Sequence, residues 1–393
     1  MTTTSLMPIY TRRLPVTFER GEGIWLWDQQ GNQYLDAISG IGVCSLGHCH
    51  PDVTQTIHEQ SGKLLHTSNI YTIALQETLA ELLTSISGMD QVFYGNSGSE
   101  SIEAAIKMTR SYARKKGITR PIIITLMGSF HGRTMAAISA SGSKRLKEGF
   151  EPLLEQFIHI PINDLQQLHD AVSANKNDIV AILLEPIQGD GGIREANKDF
   201  LIAIRALCDQ HDYLMILDEV QTGLCRTGMW FACQHHGILP DILTVAKALG
   251  NGIPISAYLA RGKANDLIAS KHGSTFAGSP FVCAVATTVL TIMKQQKIYK
   301  QAAKVGAYLK SQLQQTFENH PNVLSIRGMG LMLGLELNQD CVTINKTALN
   351  HRVLLNVVSN RTIRLLPPLI FTEHDANELC LRLRKTVDDF VNV

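Results

Sequence analysis

Residues 213–252 read YLMILDEVQTGLCRTGMWFACQHHGILPDILTVAKALGNG. Two short apolar runs, 213–217 and 242–245, each stop at residues able to do chemistry. Asp218-Glu219-Val220-Gln221 follows the first, and Lys247 follows the second after one alanine. Runs of this length, rich in branched residues, read as strands buried on both faces. Upstream, 122–126 runs into Gly128-Ser-Phe-His-Gly-Arg-Thr134, and 179–184 runs into Glu185-Pro186. Between such runs lie helical stretches, for example 99–112, with Ile102, Ala105, Ile106, Thr109 and Tyr112 on one stripe. Helices alternating with buried strands predict an α/β fold with a mostly parallel sheet flanked by helices. In such sheets ligands bind beyond the carboxyl ends of the strands, so these polar termini are expected to converge on one pocket.

Outward from that centre the texture changes. Residues 17–37 (TFERGEGIWLWDQQGNQYLDA) alternate apolar and polar side chains around a turn and read as short antiparallel strands. Beyond residue 266, a helical stretch at 283–298 precedes strand-like VLSIRG and GLMLGLEL and a final helix. Three segments are therefore expected: 1–60 packing with a small domain, 61–265 as the large domain, and 266–393 as a smaller α+β domain. No internal repeat interrupts this order.

The 393 residues are 45% hydrophobic and 18% charged, with a net charge of +1. That balance fits a well-buried globular enzyme and gives no basic face for nucleic acid and no sign of a membrane-surface role. Eight cysteines occur singly and the N-terminus lacks a basic-then-apolar signal, so a reducing cytoplasmic compartment is expected.

Lysine ordinarily solvates a surface, but Lys247 ends a buried run and is followed by small, Gly-rich sequence. Desolvation there would lower the amine's pKa and make it a nucleophile toward a carbonyl. Asp218 needs a partner for burial; a helix cap or ion pair would serve, and a pyridinium nitrogen would serve better. The segment Gly95-Asn96-Ser97-Gly98-Ser99-Glu100 opens a helix. It reads as a phosphate site made of backbone N–H groups or as simple capping by Ser97 or Ser99.

LDEVQTGLCRTG, TVAKALGNGIPI, FYGNSGSESIEAA, SFHGRT, LLEPIQGDGG, GSTFAGSP and RLLPPL stand in the order found in class III (ornithine-type) aminotransferases. The chain resembles that family from VTFERGEG onward, and GHCHP with HTSNIY resembles its acetylornithine-type branch. The resemblance implies fold type I, pyridoxal 5'-phosphate as cofactor, and a homodimer with a shared active site. It implies a Schiff base on Lys247, with Asp218 at the ring nitrogen and Gln221 near the ring hydroxyl. Phe130 and Val220 would cover the two ring faces. Gly98 and Ser99 would hold the phosphate, with Thr275 of a neighbouring subunit, while Ser274 would meet substrate across the interface.

Arg133 would bind the far carboxylate of the substrate and Arg364 the α-carboxylate of glutamate or 2-oxoglutarate, near Glu185. The implied reaction carries the terminal amino group of N2-acetylornithine to 2-oxoglutarate. Ornithine, succinylornithine, succinyldiaminopimelate and 4-aminobutyrate are the alternative donors. Where relatives carry a glutamate that masks the second arginine, this chain has Asp190, one methylene shorter, and weaker discrimination is expected from it. Ser279 stands where asparagine is usual. His131 is expected to support the ring's position. The closely spaced His48-Cys49-His50 fits no usual metal-site spacing, and Gly328–Gly334 is expected to be a close-packed strand rather than a dinucleotide loop.

Overall fold

The apolar runs build a seven-stranded sheet. Its order is Gln91–Gly95, Ser256–Ala260, Ile242–Val245, Leu214–Asp218, Ile179–Leu184, Ile122–Leu126 and Phe157–Ile160. The computed structural model describes residues 5–10, 13–265 and 271–392. The five strands from Ile242–Val245 to Phe157–Ile160 pair in parallel, while Ser256–Ala260 runs antiparallel to both its neighbours. Successive side chains of a strand point to opposite faces, and both faces here are covered. Leu214 and Ile216 join the core against the helix Gly98–Lys115. Met215 and Leu217 join the larger core, where Phe200 and Ile204 of the helix Lys198–His211 pack. At roughly 1.5–3 kcal/mol per fully buried large aliphatic side chain, this two-sided burial is the main stabilising term.

Two smaller sheets flank this body. Phe18–Glu22, Trp25–Asp28 and Gln33–Asp36 form the antiparallel N-terminal strands foreseen in the sequence. They gain a fourth, parallel strand from Val353–Leu354, so the two ends of the chain share one sheet. The other sheet is antiparallel and joins Val323–Met329, Met332–Leu337, Thr362–Leu365 and Asn356–Val358. The glycine-rich stretch 328–334 lies in its first hairpin, as expected.

The helix expected at 283–298 differs. One helix spans Pro280–Gln295 and a second spans Ile298–Thr316. Pro280 sits at the first helical position, where its missing N–H costs nothing. Lys297, with φ of 52°, breaks the path between the two helices. The first helix packs on Pro51–Ser61 and Ala74–Ser87, with Thr288 bonded to Thr56 at 2.9 Å. The expected boundary at 265/266 abuts residues 266–270, outside the described residues. All eight cysteines are unpaired, and among the described residues no helix is long and apolar enough to cross a membrane.

Candidate active site

The carboxyl ends of four parallel strands open onto a cavity of 340 Å³, within the range of small-ligand pockets. Lys247 lies in its wall, one residue beyond Ala246, which follows the strand Ile242–Val245. Its backbone is left-handed, with φ of 44°, a conformation that costs a non-glycine residue on the order of 1 kcal/mol and is common at functional sites. Burial lowers the pKa of its amine, and the Asp218 carboxylate opposes that shift. A larger neutral fraction of the amine follows, as a nucleophile or proton carrier requires.

Asp218, 4% exposed, ends the adjacent strand. Its Oδ1 accepts from Val220 N at 3.1 Å and Thr244 Oγ1 at 3.3 Å, and its Oδ2 lies 2.8 Å from His131 Nδ1. A carboxylate oxygen has room for a second donor, so Oδ2 can also take a ring N–H from the cavity. His131 is 2% exposed and its Nε2 has no partner among the described residues, an uncompensated polar atom beside the cavity.

The turn expected to hold the phosphate lies at the start of the 18-residue helix Gly98–Lys115. Ser97 accepts from Glu100 N at 3.4 Å, so it is the residue that caps the helix. The N–H groups of Gly98 and Ser99 precede any partner four residues back. A Cβ on Gly98 would stand 2.8 Å from Val220 Cγ1, so only glycine leaves Val220 in place. Ser99 Oγ accepts from Arg133 N at 3.2 Å, joining this turn to the Phe130–Arg133 loop. Phe130 and Val220 both line the cavity. These residues fit pyridoxal phosphate: an anion seat, a carboxylate for the ring nitrogen, apolar walls and a desolvated amine.

Arg133 is exposed beside the cavity, its guanidinium 5.7 Å from the Phe130 ring centre. Arg364 is buried to 2% and comes from the other side, on the strand Thr362–Leu365 of the C-terminal sheet. Its Nη1 donates to Asp190 Oδ1 at 2.8 Å and to Gln221 Oε1 at 3.3 Å. Although one methylene shorter than the glutamate of relatives, the aspartate reaches the arginine, so the contact that a mask needs is present. Its carbonyl is drawn toward the hairpin by Ser359 Oγ at 3.0 Å, and glycines at 189, 191 and 192 let the loop approach. Gln221, expected near the ring hydroxyl, lines the cavity and turns its oxygen to Arg364.

Glu185 spends its oxygens on backbone, accepting from Phe130 N at 2.9 Å and Gly189 N at 3.1 Å. Burial pushes its pKa up to about 7, against the opposing pull of His131. Ser274 accepts from Asn96 Nδ2 at 3.0 Å, beside the phosphate seat of its own chain. Thr275 is exposed and does not line that cavity.

Sequence reasoning missed Val43, Asn96 and the turn 252–255, all in the cavity wall, and Asn356, which accepts from Arg364 Nε at 3.1 Å. It also missed Arg226, whose fully buried guanidinium donates to Leu331 O, Pro367 O and Ser45 Oγ. Arg226 carries no local signal because its partners lie more than 100 positions away, whereas Asn96 and Asn356 bond residues four and eight positions on.

Residues 7–387 match the family model described as aminotransferase class-III. Acetylornithine aminotransferase of Nitrosomonas europaea is 46% identical over 380 residues, 96% of either chain. Acetylornithine aminotransferase 1 of Bordetella pertussis is 44% identical over 388 residues, 98% of either chain. Among solved structures, ornithine aminotransferase from Toxoplasma gondii aligns with a TM-score of 0.93 at 31% identity, covering 98% of this chain and 93% of that one. N-acetylornithine aminotransferase from Stenotrophomonas maltophilia aligns with a TM-score of 0.84 at 36% identity, covering 97% and 98%.

Proposed function

Because the chain belongs to the class III aminotransferases, we propose that it moves the terminal amino group of N2-acetylornithine to 2-oxoglutarate. The products are N-acetylglutamate 5-semialdehyde and glutamate, formed in two half-reactions. The observation that carries this reading is one cavity lined by a desolvated Lys247, a hydrogen-bonded Asp218 and the Asp190 that pairs with Arg364 behind it. The donor follows from full-length similarity to acetylornithine aminotransferases.

Pyridoxal phosphate, when bound, supplies the carbonyl that the amine condenses with and the ring that delocalises the resulting carbanion's charge. Asp218 keeps the ring nitrogen protonated, and His131 Nδ1 fixes the carboxylate's second oxygen. Gly98 and Ser99 hold the phosphate at the helix start. Lys247 Nζ would take the proton from the reacting carbon of the substrate and deliver it to the carbon that was the cofactor's carbonyl.

Two substrates must put different atoms at Lys247. Arg133, at the mouth, receives the far carboxylate of N2-acetylornithine, while Asp190 keeps Arg364 occupied. When glutamate or 2-oxoglutarate enters, its α-carboxylate displaces Asp190 and pairs with Arg364, a fork suited to carboxylates.

A homodimer completes the site in this reading, bringing Thr275 of one subunit to the phosphate of the other. Exposed Leu64, Leu65, Ile70, Tyr71 and Phe276 supply an apolar face beside it; His66 and Phe276 lie 5.5 Å apart, ring to ring. Eight unpaired cysteines suit a reducing cytoplasm.

A donor panel with 2-oxoglutarate tests the assignment. Glutamate should form with the highest kcat/KM from N2-acetylornithine. A higher value for ornithine, succinylornithine, succinyldiaminopimelate or 4-aminobutyrate would reassign the donor. Lys247→Ala should lower kcat by about 10⁴-fold or more and abolish borohydride-fixed cofactor. Fixation on another lysine would remove the mechanism.

A further inference from the structure

Arg364, its latch and two further residues form a unit whose parts lie mostly in one hairpin. Asn356 stands directly opposite Arg364 in the antiparallel pair of Asn356–Val358 with Thr362–Leu365. Directly opposed residues share a sheet face, and here Arg364 Nε donates to Asn356 Oδ1 at 3.1 Å. The bond holds the guanidinium by its inner edge. Nη1 is left toward the cavity, where it meets Asp190 and Gln221. Arginine carries a planar fork, so fixing Nε fixes the plane in which a carboxylate must approach.

The turn of the same hairpin bears Ser359, whose Oγ donates to the carbonyl of Asp190 at 3.0 Å. The loop lies close to the hairpin there: a Cβ on Gly192 would stand 3.3 Å from Thr362 Oγ1 and 3.4 Å from Ser359 Oγ. A carboxylate one methylene short of glutamate gives up about 1.5 Å of reach. Its backbone must therefore be held nearer to the arginine.

We propose that Asn356 and Ser359 are positioning residues that set which substrate carboxylate is accepted. Asn356 orients Arg364, and Ser359 holds the Asp190 backbone so that an aspartate can mask it. The inference rests on the reading that Arg364 receives the α-carboxylate. It adds that masking depends on a serine–aspartate pairing and that orientation depends on a cross-strand amide.

The test uses the cofactor-loaded enzyme and two readouts: the dissociation constant of glutarate, a non-reacting dicarboxylate, from the cofactor spectrum, and single-turnover rates with each amino donor. Arg364→Gln comes first. If it leaves glutarate binding unchanged, the reading of Arg364 itself fails. If it weakens binding, the remaining variants address the positioning residues.

Asn356→Leu should weaken glutarate about tenfold. It should slow the glutamate half-reaction at least five times more than the N2-acetylornithine half-reaction. Asn356→Gln, which keeps a neutral amide acceptor, should stay within about threefold of wild type in glutarate affinity. Ser359→Ala should lower the preference for the terminal amine over glutamate about fivefold, and Asp190→Glu added to it should restore that preference. Equal effects on both half-reactions, or no effect from either single variant, would overturn the proposal. If Asn356→Leu fails to fold, Asn356→Gln and the serine pair still decide it. Loss of glutarate affinity in Asn356→Gln, or no rescue in the double variant, counts against it.

Discussion

Replacing Asp190 by alanine removes the carboxylate paired with Arg364 among the described residues, and the structure sets the size of the effect. The pair is 2.8 Å apart, with the arginine side chain 2% exposed and the aspartate 42% exposed. Fully exposed pairs contribute roughly 0–1 kcal/mol, while breaking a buried pair costs about 3–5 kcal/mol. A pair with one member in water falls between, at about 1.5 kcal/mol. An incoming α-carboxylate must break that pair before it binds, so the same energy is a penalty on its affinity. At about 1.4 kcal/mol per decade, Asp190→Ala should tighten glutarate and glutamate about tenfold. N2-acetylornithine, whose carboxylate goes to Arg133, gains nothing from the change. The ratio of single-turnover kcat/KM for glutamate to that for N2-acetylornithine should rise about tenfold. Stopped-flow absorbance of the cofactor with each donor reads it directly. Asp190→Glu should change the ratio less than threefold, because the mask remains. An unchanged ratio in Asp190→Ala, or equal gains for both donors, would refute the latch.

His48 lies 2.7 Å from the buried Asp36 carboxylate; burial alone would lower its pKa, but the carboxylate dominates and raises it to about 10. Its folded-state pKa exceeds the unfolded value near 6.5, so the stabilisation is fully present below that pH. It fades as pH rises toward 10. His48→Gln should therefore cost on the order of 2–4 kcal/mol in urea unfolding at pH 6 and much less at pH 10; a pH-independent difference would exclude the ion pair as its origin. Gly98→Ala should push Val220 into the cofactor space and weaken pyridoxal phosphate binding about tenfold, the strain of a tight insertion being about 1–3 kcal/mol. Equilibrium dialysis showing wild-type affinity would argue that the turn yields freely. Phe276→Asp should shift the protein toward monomer in sedimentation and reduce cofactor retention together with it. Dimers of full stability would place the interface elsewhere.

The parallel half of the central sheet was legible because its strands are continuous apolar runs, each stopping at a chemically distinct residue. The strands Gln91–Gly95, Ser256–Ala260 and Phe157–Ile160 were not read out. SAYLA is made largely of small residues with little strand preference of their own, and its order comes from pairing on both sides. Lys247 and Asp218 could be named because burial of a charged group at a strand end demands a reason. Asn356 could not: an asparagine near a turn is ordinary, and its meaning depends on the register that sets it opposite Arg364. That Asp190 reaches Arg364 was not legible for a related reason. Side-chain length is visible in a sequence, whereas the distance it must span is set by Ser359, 169 positions away.

The buried Arg226 bears on how such a chain comes into being. Its acceptors lie at positions 45, 331 and 367, each more than 100 residues away along the chain. A guanidinium enclosed without those oxygens would be costly, and burial already lowers its pKa to about 9. The signature segment that carries it is therefore completed only when stretches from both flanking sheets have packed around it, which ties one wall of the site to assembly of the whole fold.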